Sequence, residues 1–183
     1  MTHHKRLEED KPVIDFDKPV IDFDNLSLSK VSLYSNLSVA PIGRLVRFGT
    51  SEMETVLGLC CEVEAVPKPA QCVLILDGEK IGTLFEAVNY AGSVLNVTDL
   101  CEVVAINPCP FILDFSKIVP GTLFCYGGST FVVWSKMNNG TAGYVSVSGV
   151  HPDFPKVGSY KRGIRPDMLT VVSQKVGIRV RAV

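Results

Sequence analysis

The sequence predicts an all-β domain, a compact β-sandwich or barrel, preceded by an extended N-terminal arm. Three observations indicate this: many short apolar segments, turn residues between most of them, and a repeated acidic phrase ahead of the first segment. With 183 residues, 46% of them apolar and 20% charged, the chain can bury one sizeable core. We therefore divide it into an arm, residues 1–24, and a single β-rich domain, residues 25–183.

The arm contains the phrase Lys-Pro-Val-Ile-Asp-Phe-Asp written twice without change, over residues 11–24. Each copy alternates as a strand does, with Ile and Phe on one face and the two Asp on the other. The odd length of the phrase argues against one straight strand through both copies, and Pro19 argues against a helix. We predict two adhesive segments, each able to add to the edge of a sheet. The residues predicted to dock are Ile14, Asp15, Phe16, Asp17, Ile21, Asp22, Phe23 and Asp24.

The alternative hypothesis is that the repeat is a neutral duplication without a function. Terminal tails accept insertions at almost no cost in stability, so a tandem duplication can persist without a function.

The clearest strand of the domain is predicted over Val56–Val66. Its odd positions from Leu57 onward are apolar and share one face, and the other face ends in Glu62 and Glu64, as in a half-buried strand with a solvated end. Gln71–Leu76 then runs into Asp77-Gly78, which predicts a two-residue hairpin returning through Glu79–Ile81. The remaining predicted strands are Leu26–Leu33, Leu45–Phe48, Val94–Val97, Glu102–Ile106, Phe111–Phe115, Thr122–Tyr126, Thr130–Trp134, Tyr144–Val147, Leu169–Val172 and Ile178–Ala182.

Turn signals support one further hairpin and one further turn. Gly127-Gly128-Ser129 separates one pair of these strands, and Asn139-Gly140 precedes Tyr144–Val147. One segment, Thr83–Gly92, has a capping box and apolar residues at helical spacing, so a short helix is an alternative there. The words Gly-Thr-Leu-Phe occur at 82–85 and again at 121–124, which is too little to indicate a duplicated domain.

The C-terminal region is basic, whereas the arm is acidic. Residues 151–183 hold seven Lys/Arg against two Asp, and residues 1–24 hold four against seven Asp/Glu. In the last strand Ile178 and Val180 alternate with Arg179 and Arg181, which could face the Asp-x-Asp of the arm. We predict these four residues as the receiver of the arm. The same region could instead bind nucleic acid through Lys161, Arg162 and Arg165, although the sequence pI of about 6.3 does not favour this.

The N-terminus has no apolar stretch of the kind a secretory signal needs, so we expect synthesis in the cytoplasm. No apolar run reaches the roughly 20 residues of a membrane helix, and no membrane partner is expected. The six cysteines are therefore predicted as reduced thiols, with Cys60, Cys61, Cys72 and Cys101 buried among apolar strands.

Motifs of catalysis or cofactor binding are missing from the sequence. There is no Cys-x-x-Cys, phosphate-binding loop, dinucleotide fingerprint or nucleophile elbow, so no catalytic residue, metal or cofactor is predicted. His151-Pro152-Asp153 matches the tripeptide of J-domain co-chaperones, but its flanks are strand and turn here, and we predict a surface loop. A hydrolase would have to rely on His151, the one histidine of the domain.

These observations predict a non-enzymatic structural protein that self-associates, with its arm docked on neighbouring subunits. By analogy of architecture, such a chain fits a virion component, whether capsid, decoration or tail. The alternative is a β-barrel module that binds nucleic acid or another ligand through the basic C-terminal region.

Overall fold

The structure is a computed structural model that describes residues 32–49, 55–64, 68–108, 116 and 118–181. Within these ranges half of the residues lie in strands and no helix reaches seven residues, so the all-β prediction is confirmed. The strands are β1 Leu33–Tyr34, β2 Leu45–Phe48, β3 Val56–Val63, β4 Ala70–Ile75, β5 Thr83–Glu86, β6 Val94–Asn96, β7 Cys101–Ile106, β8 Leu123–Tyr126, β9 Thr130–Met137, β10 Ala142–Ser148, β11 Tyr160–Lys161, β12 Leu169–Ser173 and β13 Lys175–Val180. The arm, the strand predicted at 111–115 and residues 26–31 of the strand predicted at Leu26–Leu33 lie outside the described residues.

Six strands follow one another around a closed ring, in the order β3, β4, β5, β9, β10, β11. Neighbours in this order pair antiparallel except β5 and β9, which are parallel, and the bridge that closes the ring is also parallel. The ring closes where Glu62 of β3 bridges Ser159 beside β11, with the Glu62 N–H donating to Gly158 O at 3.2 Å. Of the two predicted architectures, the described sheet is therefore a barrel.

Alternate residues of each ring strand fill the barrel interior. In β3 these are Leu57, Leu59, Cys61 and Val63, none more than 5% exposed, as the period of two predicts. The other ring strands and their ends contribute Cys72, Leu74, Leu76, Leu84, Val133, Val145, Val147 and Tyr160 to the same core. This interior is a packed core and not a channel.

A second layer covers part of the outside of the barrel. β2 extends the sheet from β3, and β6 and β1 follow it. Two 3₁₀ turns, Leu37–Val39 and Ala87–Asn89, lie near each other over this face, where Phe48 packs edge-on against Tyr90 with ring centroids 5.2 Å apart. Cys60, on the outward face of β3, is fully buried as a result. Only the far end of that face, at Glu62 and Glu64, is exposed as the sequence predicts.

The predicted hairpin at Gly127-Gly128-Ser129 forms, and the turn predicted at Asn139-Gly140 joins a second hairpin. β8 and β9 pair antiparallel around Gly127-Gly128-Ser129, with Tyr126 opposite Thr130. β9 and β10 pair around the Asn139-Gly140 turn, in which Gly140 N–H donates to Met137 O at 3.0 Å. Glycine at these turn positions supplies the left-handed backbone that hairpin turns require.

The predicted two-residue hairpin at Asp77-Gly78 is wrong. The chain turns through residues 76–82 and pairs again only at Thr83, the start of β5. The Asp77 carboxylate accepts the Leu57 N–H at 2.6 Å, so it caps the neighbouring strand β3 and not its own turn. Burial raises the pKa of Asp77 to about 6, an effect that the Leu57 N–H and Arg47 oppose.

The alternative of a short helix at Thr83–Gly92 is also wrong. Thr83–Glu86 forms β5, and only Ala87–Asn89 turns, as a 3₁₀ helix. Leu84 pairs with Leu74 of β4 and is buried in the barrel, so ladder hydrogen bonds and core packing outweigh the local capping pattern.

Candidate functional site

A separate two-stranded sheet lies against one side of the barrel and is formed by β7 and β13. The two strands pair antiparallel, from Lys175 opposite Ile106 to Val180 opposite Cys101. One face of this sheet, which includes Val176 and Ile178, packs against the barrel core. Opposite charges meet on the other face, where Arg179 Nε donates to Glu102 Oε1 at 2.6 Å across the two strands.

The edge of β7 that faces away from β13 has no strand paired to it at Val103 and Ala105 within the described residues. In an antiparallel pair, alternate residues turn their N–H and C=O groups toward the partner strand. The Val176 N–H bonds to Gly121 O, outside the pair, so Val176 and its partner Ala105 turn their backbone groups outward. Val103, two residues earlier, has the same orientation. Among the described residues, nothing accepts or donates to these outward groups of Val103 and Ala105.

A half-open apolar groove of about 240 Å³ runs along this free edge. Three consecutive residues of β7 line it, and because successive side chains of a strand point to opposite faces, the groove must follow the strand's edge. We call it the edge groove; its lining residues are Val103, Val104, Ala105, Leu123, Phe131, Val147, Ser148 and Val172. Phe131 is 37% exposed, one of the few large apolar side chains at the surface of the described chain.

These properties fit the binding of an extended peptide. Unpaired N–H and C=O groups along a strand offer ladder hydrogen bonds to an added strand, and apolar walls accept every second side chain of that strand. The edge groove has both, and Ser148 is the one polar side chain in its lining. An unprotected apolar edge is otherwise a liability that folded proteins cover or charge.

The four residues predicted to receive the arm lie on β13 and directly after it. Ile178 is 1% exposed and packs in the core, so its side chain is not open to a ligand. Arg179 pairs with Glu102 of its own chain. Arg181 is exposed, and its N–H donates to Leu100 O at 2.7 Å. Val180 lies opposite Cys101 in the β7–β13 ladder. The docking residues of the arm lie outside the described chain.

Two of the three cations predicted to contact nucleic acid are engaged with carboxylates. Lys161 Nζ lies 2.7 Å from Asp153 Oδ1, and Arg165 lies 2.6 Å from Asp167. Arg162 is exposed, and its Nε donates to the Tyr160 hydroxyl at 3.0 Å. Phosphate binding at this surface would have to compete with both pairs.

His151 lies in the loop after β10, as predicted, and holds a turn together. Its Nδ1 accepts the Asp153 N–H at 3.0 Å, and its ring packs edge-on against Tyr126. The Tyr126 hydroxyl donates to Asp153 Oδ2 at 2.6 Å. This hydrogen bond raises the pKa of Tyr126 to about 12, and donors from Lys161 and Tyr126 lower the pKa of Asp153. With Nδ1 engaged in the turn, the arrangement is one that stabilises a loop.

The buried thiols are confirmed for the four cysteines predicted to be buried. Burial raises the pKa of Cys60 to about 12 and those of Cys72 and Cys101 to about 11, which disfavours the reactive thiolate. In the described part of the chain, no three His, Cys, Asp or Glu side chains cluster as metal ligands would. None of the helical turns in that part is long and apolar enough to cross a bilayer.

Reasoning from the sequence missed the edge groove, because it depends on strands far apart in the chain. The apolar run around Val103 predicts a strand, but not which of its edges stays unpaired. One signal was present: Glu102 and Arg179 are the charges that interrupt two apolar strands, and opposite charges favour cross-strand pairing. That pairing engages Arg179, one of the four residues predicted to receive the arm, with a carboxylate of its own chain.

Comparison of the chain with protein-family models, with curated proteins and with solved structures finds no match.

Proposed function

We propose that this chain is a non-enzymatic assembly protein in which the N-terminal arm of one subunit adds as a strand to the edge groove of another. The observation that carries the proposal is the edge of β7 at Val103 and Ala105, which no described residue pairs with and which opens into an apolar groove. By analogy of architecture, the assembly would be a virion shell, decoration or tail structure.

The sequence of the arm supports it as the occupant. Each copy of the phrase offers five alternating residues, Val-Ile-Asp-Phe-Asp, preceded by a proline. This length suits the short edge at Val103–Ala105, and Ile and Phe suit the apolar walls. The Asp side chains on the opposite face would stay in water.

The reach of the chain also supports the arm. The backbone oxygen of Ser32, the first described residue, accepts the Asn96 N–H at 2.9 Å, and β7 begins five residues after Asn96, at Cys101. Residues 25–31 can span up to about 25 Å when extended. The described chain therefore begins near the strand to which the arm is proposed to bind, and residues 25–31 are long enough for the arm to reach the edge groove of a contacting subunit.

The test is the mass of the full-length chain by light scattering over a range of concentrations. A full-length variant with Ile14, Phe16, Ile21 and Phe23 all changed to Ser silences the arm, and Phe131→Asp places a charge in the edge groove. Val88→Asp is the matched control, because Val88 is 76% exposed and does not line the groove. We expect the wild type and the control to assemble, and the two other variants to stay monomeric.

Two results would overturn the proposal: a wild type that is monomeric at every concentration, or an arm-silenced variant that assembles as the wild type does. Salt-sensitive binding of generic DNA or RNA by a monomeric chain would favour the nucleic-acid module instead.

A further inference from the structure

We infer that Glu102 determines the direction in which the arm adds to β7, and that the added strand runs parallel to β7. This inference rests on the proposed function, because it assumes that the arm occupies the edge groove. Glu102 would then be the residue that sets the specificity of docking.

The two faces of β7 fix which arm residues can enter the groove. Val103 and Ala105 pack against the barrel core, and Glu102, Val104 and Ile106 point to the other face, because side chains alternate along a strand. Neighbouring residues of paired strands share a face, so Ile and Phe of the arm must align with Val103 and Ala105. The Asp between them then lies opposite Val104. This holds for both directions of the arm.

The two directions differ in the residue placed opposite Glu102. In an antiparallel arrangement, Asp17 would lie opposite Glu102, and like charges directly opposite each other are unfavourable. The guanidinium of Arg179 is already bound to that carboxylate. In a parallel arrangement, Val13 lies opposite Glu102, and Asp17 lies opposite Ile106. The second copy repeats this pattern, with Val20 and Asp24 in the same places.

The parallel arrangement also brings the acidic end of the phrase toward a cation. Ile106 is paired with Lys175 of β13, so Asp17, Ile106 and Lys175 form one row across three strands. Side-chain size agrees with this direction, because the large Phe16 then lies beside the small Ala105, and Ile14 lies beside Val103. The antiparallel arrangement would crowd Phe16 against Val103 instead.

The test measures binding of a fluorescent peptide, residues 11–17, to the full-length arm-silenced chain. In the parallel arrangement, Lys175→Gln in the protein and Asp17→Asn in the peptide each weaken binding by about two- to fivefold. Because the two changes remove the same interaction, they weaken binding no further when combined. Glu102→Gln leaves the affinity within about twofold, as does the control Glu79→Gln on the exposed loop after β4.

If Glu102→Gln or the peptide change Asp17→Asn tightened binding, the arm would run antiparallel and this inference would be overturned while the proposed function stood. If the peptide failed to bind at all, both would be overturned.

Discussion

Gly82 and Gly121 meet backbone to backbone on one side of β9. A Cβ placed on Gly82 would lie 2.1 Å from the Gly121 nitrogen, and both residues have left-handed φ angles, 84° and 98°. Gly82 O accepts the Lys136 N–H, and Gly121 N–H donates to Trp134 O, so the two glycines bond to the same strand. The contact joins the first residues of the two Gly-Thr-Leu-Phe segments, 82–85 and 121–124. Only residues without a side chain can approach this closely.

Substitution of Gly82 by Ala is therefore expected to destabilise the fold by at least about 3 kcal/mol, since it adds a backbone clash to the strain of a left-handed residue. Gly78→Ala is the matched control. Gly78 has a φ of 75° but no atom within 4 Å of its Cβ position, so about 1 kcal/mol is expected there. Urea unfolding measures both values. Equal losses in the two variants would contradict the proposed clash.

Asp77→Asn is expected to stabilise the protein above pH 6. The pKa of Asp77 is raised from 3.8 to about 6 in the fold, so its ionisation opposes folding: the stability present below pH 3.8 is lost as the pH rises through 6. Asn can still accept the Leu57 N–H and does not ionise. The gain at pH 8 is expected to reach up to about 3 kcal/mol and to vanish near pH 4.

Thermal or urea unfolding between pH 4 and pH 8 measures this difference. Asp99→Asn, in the exposed turn before β7, is the control and should follow the wild type at every pH. A constant offset between Asp77→Asn and the wild type would argue against a buried carboxylate.

Tyr126→Phe is expected to lower the free energy of unfolding by about 1 kcal/mol, because it removes the hydrogen bond to Asp153 and leaves the ring in place. The pKa of Asp153 is lowered in the fold, so its contribution is present above its ordinary value and is lost as the pH falls through the folded value. The effect of Tyr126→Phe should therefore shrink in acid.

Tyr144→Phe is the matched control for this change. Tyr144 belongs to the same apolar cluster as Tyr126, where it packs against Phe124 and Trp134, and its hydroxyl has no hydrogen bond to the described residues. Its effect should stay within about 0.5 kcal/mol at every pH. An effect of equal size in both variants would assign the loss to packing.

A thiol reagent added to the native chain is expected to modify Cys125 and to leave the four buried cysteines unmodified. Cys125 is partly exposed on β8, opposite Phe131, whereas Cys60, Cys61, Cys72 and Cys101 are at most 1% exposed. Accessible thiols react through the thiolate, which burial suppresses. A Cys109→Ser background restricts the measurement to the described cysteines. Fast labelling of a second thiol in this background would show that a buried strand opens readily.

The sequence was sufficient for those parts of the fold in which local pattern and tertiary packing agree. The strand β3 could be predicted from its alternating apolar residues because its odd residues face the barrel interior. The turn at Asn139-Gly140 could be predicted because its residues contribute only to the hairpin that they connect. Prediction failed where a side chain serves a distant partner. Asp77 caps β3, and Thr83 joins a ladder with β9, so the local signals of hairpin and helix at these residues were overruled.

The candidate site was less accessible to prediction than the fold. Arg179 was identified as a charged residue on an apolar strand, but its partner Glu102 lies 77 residues earlier. The free edge at Val103 arises because β13 occupies one side of β7 and no described strand occupies the other. A single sequence does not specify which of two equivalent edges is covered.

Among the described residues, a single bridge between Glu62 and Ser159 joins the first and last strands of the barrel. Every other pair of neighbouring strands in the ring is joined by two or more paired residues, so the junction of β3 and β11 has the fewest backbone pairs. Opening this junction would convert the barrel into a curved open sheet in which β3 and β11 each gain an unpaired edge. We expect mechanical stretching and the first events of unfolding to begin there.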